Sequence, residues 1–263
     1  MNRLRPAALS FLLSLAGLSG CSAADPPLVA APGAVAVVEL FTSEGCSSCP
    51  PAEALLNRLH AQSRTPDGPP VIALAFHVDY WDRLGWTDPY GSRDHSLRQQ
   101  VYSETLEGGT FTSGRVYTPQ MVVNGTQGFV GSASGKAHAA LTQALAAPAA
   151  VQVQLAAVRD GEVVRLDWSL TSDRPLKGTT QVNLVLAEDR IVSAIGRGEN
   201  GGRTLEHDAV VRSFEAVPAS GGSGTLELAL PPDVDAANLS AVAYVQAKPG
   251  GPILGGTRVV PGS

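Results

Sequence analysis

The stretch that most constrains this chain runs Val37-Val-Glu-Leu-Phe-Thr-Ser-Glu-Gly-Cys-Ser-Ser-Cys-Pro-Pro51. An apolar run ends in a small polar turn, Cys46 and Cys49 follow with two serines between them, and leucines at helical spacing come directly afterwards. This order predicts a buried strand, a turn, a Cys-x-x-Cys motif and a helix. Two thiols at this spacing can form a disulfide, and a helix N-terminus favours a thiolate. The stretch therefore indicates a redox motif.

The two prolines after the motif limit the influence of the helix. Neither Pro50 nor Pro51 has an N–H group, so the helix is predicted to begin within residues 47–49, where missing donors are harmless. Few N–H groups then remain near Cys46. We therefore expect the helix to favour the Cys46 thiolate only weakly.

Residues 1–20 are predicted to be a lipoprotein signal peptide. Two arginines precede an apolar run from Ala7 to Leu18, which is shorter than the about 20 residues of a membrane-spanning helix. The end of the segment, Leu18-Ser-Gly-Cys21, resembles the lipobox of bacterial lipoproteins. That resemblance implies cleavage before Cys21 and lipidation of its thiol. An ordinary signal peptide, cleaved a few residues further on, is the alternative.

Export would place the chain in the periplasm, where disulfides persist. The lipobox resemblance implies a lipid anchor in the cell envelope, and Ser22, by analogy with known lipoproteins, favours the outer over the inner membrane. If Cys21 carries lipid, Cys46 and Cys49 are the remaining pair among the 3 cysteines. The formal net charge of −5 and the lack of a basic cluster argue against nucleic acid as a partner.

Composition divides the remaining chain into a tether and two domains. Residues 21–33 are rich in Ala and Pro and are predicted to be a tether. Residues 34–148 follow the order β-α-β, helical insertion, Asn-Gly hairpin and helix, with parallel strands in the β-α-β unit. Residues 149–263 hold six predicted short strands with turn signals, which is typical of an antiparallel sandwich.

Two resemblances follow from these motifs. Glu39–Pro51, Thr118-Pro119 and the Met121–Gly125 hairpin resemble the thioredoxin fold, in the order that this fold requires. Three more specific segments are similar to an exported bacterial family catalogued as domain of unknown function 1223: Phe41–Pro51, His77-Val-Asp-Tyr-Trp-Asp82 and Tyr117-Thr-Pro-Gln-Met-Val-Val-Asn-Gly125. The predicted fold is an α/β thioredoxin-like domain with a helical insertion, followed by an all-β sandwich domain. The family implies a fold but no substrate, since its activity is undetermined.

The thioredoxin resemblance assigns roles residue by residue. It implies that Cys46 is the attacking thiol, exposed because it precedes the helix, and that Cys49 is the resolving thiol, facing inward. It implies a cis peptide bond before Pro119, which would present the Thr118 backbone to an extended substrate segment. Glu39 corresponds to a buried carboxylate that accepts the Cys49 proton, although its spacing to Cys46 is one residue longer here.

Polar and aromatic residues follow the second strand and suggest a substrate surface. Ligands bind beyond the carboxyl ends of strands in open α/β sheets, and four candidates lie there: His77, Asp79, Trp81 and Asp82. The alternative for the tryptophan is that it anchors the insertion. Glu44 is expected to be a solvated charge in an exposed turn. A polar cluster in residues 197–208 is predicted to be an interdomain salt-bridge network, or else a substrate surface.

The leading function is an exported thiol–disulfide oxidoreductase that acts on an envelope protein, with an unidentified electron donor or acceptor. Its redox group is the Cys46–Cys49 disulfide, and no further cofactor and no metal are predicted, because two thiolates need two more ligands. One alternative is a non-catalytic envelope binding module with a structural disulfide. Another is copper delivery with His77, although copper-delivering thioredoxin relatives usually carry Cys-x-x-x-Cys.

Overall fold

The computed structural model describes residues 27–106 and 115–262. The predicted signal peptide, the predicted lipidation site Cys21 and the first part of the tether lie outside the described residues. Within the described part of the chain, none of the helices is both long and apolar enough to cross a bilayer.

The first half of the chain forms the predicted elements in the predicted order. They are β1 (Ala36–Thr42), α1 (Pro50–Ser63), β2 (Val71–His77), α2 (Arg93–Thr105), β3 (Gln120–Val123), β4 (Gln127–Val130) and α3 (Ser134–Ala144). Strands β1 and β2 are parallel, joined by α1, and every residue of both is buried. The Asn-Gly turn forms the predicted hairpin between β3 and β4, with φ of 45° at Asn124 and 64° at Gly125.

The second half is almost entirely β-strand. Its strands are β5 (Val151–Asp160), β6 (Val163–Ser172), β7 (Gln181–Glu188), β8 (Ile191–Ala194), β9 (Thr204–His207), β10 (Val210–Pro218), β11 (Ser223–Ala229), β12 (Leu239–Gln246) and β13 (Ile253–Val259). The six strands predicted from sequence are confirmed. Strands β8 and β9 were missed because they are only four residues long and, unlike β3 and β4, are not joined by a short Asn-Gly turn. Strand β13 was missed because it carries two glycines.

The prediction of a thioredoxin-like domain followed by a separate sandwich is wrong. One mixed sheet of eight strands runs through both halves in the order β13-β12-β7-β10-β2-β1-β3-β4. The halves join where Val210 of β10 pairs in parallel with Ala75 of β2, and the Ala75 N–H donates to the Ala209 carbonyl at 2.8 Å. Strand β2 is apolar and covered on both faces, which suits a central strand rather than an exposed edge.

One face of this sheet is covered by helices α1 and α3 and by a second, three-stranded sheet, and the other face is covered by α2. Because successive side chains of a strand point to opposite faces, Val38 and Leu40 pack against α1 and α3, whereas Val37 and Phe41 pack against α2. Strands β5, β6 and β11 form a separate three-stranded sheet, whose apolar residues pack on β7 and β12. At the carboxyl ends of β1 and β2, Thr42 contacts Glu53 of α1 and His77 contacts His207 of β9, and the sequence-predicted site is there.

Candidate functional site

Cys46 and Cys49 form a disulfide, with their Cα atoms 5.4 Å apart. Cys49 is the N-cap of α1, and Pro50 and Pro51 occupy the first two helical positions. The helix therefore begins one residue later than predicted. The Cys49 N–H donates to the Cys46 carbonyl at 3.1 Å, which closes the Cys-x-x-Cys turn.

The expected exposure of Cys46 is wrong. Both cysteines have zero relative exposure, whereas Ser47 and Ser48 between them are exposed. The Cys46 Sγ lies 3.4 Å from the Oγ of Ser48, a residue that is itself exposed. A partner thiol therefore reaches the disulfide only after something above it moves.

The segment that covers the motif comes from the other half of the chain. We call residues 196–203, which join β8 to β9, the cover loop. The buried Nδ2 of Asn200 donates to the carbonyl oxygens of Glu44 at 2.8 Å and of Cys46 at 3.0 Å. The Glu199 carboxylate accepts from the N–H of Ser47 at 3.1 Å and from its Oγ at 2.6 Å. These contacts hold the cover loop against the backbone of the Cys-x-x-Cys turn.

Trp86 connects the cover loop to the turn before the cysteines. Its Nε1 donates to the Glu44 carboxylate at 2.7 Å. Gly198, with φ of 76°, lies so close that a Cβ there would come within 3.0 Å of the Trp86 Cβ. Glu44 is fully buried, so the expectation of a solvated loop charge is wrong: its carboxylate is enclosed by an indole N–H and an imidazole.

A buried group of carboxylates and imidazoles lies directly below this turn. We call it the buried His–carboxylate cluster, and its five members are Glu44, Glu53, His77, Asp88 and His207, all less than 5% exposed. His207 lies between two carboxylates, with Nδ1 at 2.9 Å from Glu53 and Nε2 at 3.3 Å from Glu44. His77 Nδ1 lies 2.8 Å from Asp88, and the two imidazole rings meet edge to face at 5.1 Å.

The electrostatics of the cluster follow from these pairs. Burial disfavours the charged form of His207, but the hydrogen bonds and charges of Glu44 and Glu53 outweigh it and raise the pKa of His207 to about 10. Burial would raise the pKa of Glu53, yet His207 lowers it, assisted by the Thr42 hydroxyl at 2.5 Å. The pKa of Asp88 is likewise lowered against burial, first by His77.

Glu39 lies on the opposite face of the sheet from α1. Its carboxylate pairs with Arg98 at 2.7 Å and accepts from the hydroxyls of Tyr244, at 2.8 Å, and Tyr102. Burial beside the Glu39 carboxylate raises the pKa of both tyrosines, so they stay protonated donors. The proposed role of Glu39 as acceptor of the Cys49 proton stays a prediction, which these contacts do not favour.

The Thr118–Pro119 peptide bond is cis, as predicted. The Thr118 hydroxyl accepts from Trp81 Nε1 at 2.7 Å, which ties the segment after β2 to the proline. Of the other candidates for a substrate surface, Asp79 accepts from Ser96 and Asp82 accepts from the Asp88 N–H. These three candidates, Asp79, Trp81 and Asp82, are half-buried, whereas His77 is fully buried.

The polar residues of 197–208 separate into different contacts. Glu199 reaches Ser47, and His207 joins the buried cluster. Arg203 donates to Asn200 at 2.9 Å, and Asp208 accepts from the Arg190 N–H.

Sequence reasoning missed Asn200, Asp88 and Glu53 as members of the site. Glu53, four residues after Cys49, had a usable signal, since a charged residue in the first turn of a buried helix needs a partner.

Comparison with known proteins agrees with this architecture. The family described as "Protein of unknown function (DUF1223)" matches residues 37–246. The chain belongs to this family. DUF1223 membership confirms the family predicted from sequence and brings no activity with it. A comparison with curated proteins found no match.

Two solved structures resemble this DUF1223 chain over most of its length. Protein AGR_C_4864 from Agrobacterium tumefaciens is 26% identical with a TM-score of 0.62, over 86% of this chain and 95% of that one. HBP35 of Porphyromonas gingivalis is 15% identical with a TM-score of 0.61, over 87% of this chain and 76% of that one. The second likeness, at its low identity, is one of fold alone.

Proposed function

We propose that this protein is an exported thiol–disulfide oxidoreductase that exchanges its Cys46–Cys49 disulfide with thiols of a cell-envelope protein. The observation that carries the proposal is the closed Cys46–Cys49 pair at the N-terminus of α1. A disulfide between residues three apart ties almost no chain together, so its entropic effect on stability is small. Exchange chemistry is the use that this spacing suits best.

The exchange has two balanced steps. A thiolate of the substrate attacks the Cys46 sulfur, which forms a mixed disulfide and releases Cys49 as a thiolate that takes up a proton. A second substrate thiolate then attacks the substrate's own sulfur in the mixed disulfide and releases Cys46. The substrate loses two electrons and two protons, which reduce the pair, and the reverse sequence reduces a substrate disulfide.

The surroundings of the motif support Cys46 as the sulfur that is attacked. The Cys46 Sγ contacts the hydroxyl of the exposed Ser48, whereas Cys49 is the N-cap residue of α1. Both cysteines are buried and the cover loop is hydrogen-bonded to the backbone of the Cys-x-x-Cys turn, so attack requires the surroundings of the motif to open. The sequence of residues 1–21, with its lipobox resemblance, supports an envelope location with a lipid anchor on Cys21.

A trapping experiment tests the proposal. Cys49→Ser should retain a mixed disulfide between Cys46 and its substrate, visible on a non-reducing gel and lost with dithiothreitol. Cys46→Ser is the matched control: it keeps the Cys49 sulfur instead of the Cys46 sulfur and should retain little mixed disulfide. The wild-type protein should also accelerate the reduction of insulin by dithiothreitol. Absence of both a trapped species and insulin reductase activity would overturn the proposal.

The second candidate function is a non-catalytic envelope module with a structural disulfide, and the complete burial of both sulfurs favours it. The two candidates differ in the reduction potential of the pair. A structural disulfide has a potential below about −300 mV, whereas exchange catalysts lie between about −270 and −120 mV. Equilibration of the wild-type protein with glutathione and dithiothreitol buffers measures this potential directly.

A further inference from the structure

Three residues of the buried His–carboxylate cluster have the arrangement of metal ligands. Glu53, His77 and His207 each offer one ligand atom, and these atoms all lie within 4.8 Å of one another. The residues come from α1, β2 and β9, so three separate elements meet at one point. All three side chains are buried.

The orientation of His77 points to a ligand. Its Nδ1 is held by Asp88, which leaves Nε2 as the free ring atom. That Nε2 is fully buried and has no hydrogen-bond partner among the described residues. A histidine fixed by a carboxylate at one nitrogen and free at the other is the usual arrangement of a metal-binding imidazole.

His207 differs from His77 in that both of its ring nitrogens face carboxylates. Its Nε2 faces Glu44 at 3.3 Å, and its Nδ1 lies 2.9 Å from the Glu53 carboxylate. Glu44 can therefore fix the ring as Asp88 fixes His77, while Nδ1 and the Glu53 oxygen face a common point. Each of the two imidazoles then has one carboxylate behind it, as the histidine ligands of metal sites usually do.

The charge of the cluster also favours a cation. Glu44, Glu53 and Asp88 bring three carboxylates into a buried region. In the described part of the chain no Lys or Arg forms an ion pair with any of them; their ionic partners are His77 and His207, so three carboxylates face two imidazoles. Buried carboxylates need cations or several hydrogen bonds to offset the loss of water.

We propose that Glu53, His77 and His207 bind one divalent transition-metal ion of the Zn²⁺ class, with Asp88 and Glu44 as positioning residues. Two imidazoles and one carboxylate are a known zinc ligand set, which leaves a fourth position for water or an incoming ligand. Bonds of about 2.1 Å place tetrahedral ligand atoms about 3.4 Å apart. Binding therefore requires the ligand atoms, now within 4.8 Å of one another, to close to that value.

The site is distinct from the cysteines and does not depend on their exchange chemistry. It binds through nitrogen and oxygen, and it is complete while Cys46 and Cys49 are joined in a disulfide. A bound ion would tie β9, and with it the cover loop, to α1 beside the disulfide. Metal binding would therefore hold the cover closed.

The test uses full-length protein with the disulfide oxidised, stripped with a chelator and titrated with Zn²⁺ or Co²⁺. We expect about one ion per chain, a Co²⁺ visible spectrum of nitrogen and oxygen ligation, and X-ray absorption of bound Zn²⁺ showing imidazole and no sulfur. His77→Gln and His207→Gln should lose binding. His138→Gln, on the partly exposed side of α3, is the matched control and should bind as the wild type does.

Two further variants separate the metal site from the disulfide and test the role of Asp88. Asp88→Asn keeps the ligands and should weaken affinity about 10- to 100-fold, which is the usual effect of changing the group that holds a metal-binding imidazole. Cys46→Ser/Cys49→Ser abolishes any exchange activity and should leave affinity unchanged, so that a failure of either proposal is recognised separately.

Three results would overturn the metal site. They are no binding by the oxidised wild type, binding that needs reduced cysteines or shows sulfur ligation, and unchanged binding in both histidine variants. If the histidine variants do not fold, two results decide together: the spectrum of the oxidised wild type must show two imidazoles without sulfur, and Asp88→Asn must weaken binding, since Asp88 holds His77 of the proposed site.

Discussion

Asn200 and Cys46 lie 154 residues apart in the chain, yet the Asn200 amide donates to the Cys46 carbonyl oxygen at 3.0 Å. The same amide group donates to Glu44, so one side chain from the second half of the chain holds the turn that enters the Cys-x-x-Cys motif. The cover loop is therefore a part of the site. Access to the disulfide depends on how often these hydrogen bonds open.

Replacing Asn200 should make the disulfide easier to reach. Asn200→Ala removes one hydrogen bond within the cover loop and the two that join this side chain to the turn. The two are worth about 1 kcal/mol each, so their loss would raise the open population roughly thirtyfold. We expect a similar increase in the rate of disulfide reduction by dithiothreitol, followed by thiol labelling. Asn238→Ala, in a short turn before β12, is the control and should leave the rate unchanged. Equal rates for all three proteins would mean that the cover loop does not limit access.

The Glu39–Arg98 pair should stabilise the fold. The Arg98 guanidinium lies between 4.9 and 5.8 Å from the centres of four aromatic rings and is the cation paired with Glu39. Arg98→Met leaves the Glu39 carboxylate buried without a cation, so we expect a loss of about 3–5 kcal/mol in the free energy of unfolding.

The double variant Glu39→Gln/Arg98→Met removes both charges and should recover most of that loss in denaturant unfolding. Glu39→Gln alone also tests the proton-acceptor role. A structural Glu39 leaves the pH profile of disulfide exchange unchanged, whereas an acceptor shifts it. A double variant no more stable than Arg98→Met would show that the unpaired buried charge is not the cause of the loss.

The local elements of this fold could be predicted, because each depends on nearby residues. Apolar runs located β1 and β2, the Asn124-Gly125 pair located the hairpin, and leucine spacing located α1. The joined sheet could not be predicted, since pairing of Val210 with Ala75 joins segments 135 positions apart and nothing in either segment identifies its partner. Strand β2 had been assigned to the thioredoxin-like domain and β10 to the sandwich domain, so the two were not expected to pair.

The site was predicted in part for the same reason. Cys46, Cys49 and the cis Pro119 lie in local motifs, so sequence located them. The burial of Glu44 and the partnership of His207 with Glu53 depend on β9 lying beside α1, which the sequence does not indicate. Exposure of Cys46 was expected because a residue before a helix is normally open to solvent, whereas Cys46 is fully buried and its carbonyl is bonded to Asn200, a partner that local sequence does not indicate.

The continuous sheet predicts that the two halves unfold together. Two independent domains would give two transitions, whereas strands shared through β10 and β2 favour one cooperative transition. The 3 tryptophans report on different halves: Trp168 lies in β6, and Trp81 and Trp86 lie beside the disulfide. Within each of Trp168→Phe and Trp81→Phe/Trp86→Phe, the fluorescence transition should coincide with the far-UV circular dichroism transition in guanidinium chloride. Transitions that separate within one variant would show that the halves are independent domains.

Asp189 should contribute to the loss of stability in acid. Burial would raise its pKa, but His60 at 2.9 Å, the Ala209 N–H and Arg64 outweigh burial and lower the pKa of Asp189 below 3.8. A carboxyl group whose pKa is lower in the folded state stabilises the fold above its unfolded pKa, and this contribution is lost as the pH falls through the folded value.

Asp189→Asn cannot make this contribution at any pH. It should therefore be less stable than the wild type above about pH 5, and the difference should shrink as the pH falls below 3.8. Urea unfolding at several pH values measures it, with Asp160→Asn in the exposed β5–β6 turn as the control. A difference that stays constant from pH 7 to pH 2.5 would mean that the substitution acts through packing, because only a titrating carboxylate makes the difference depend on pH.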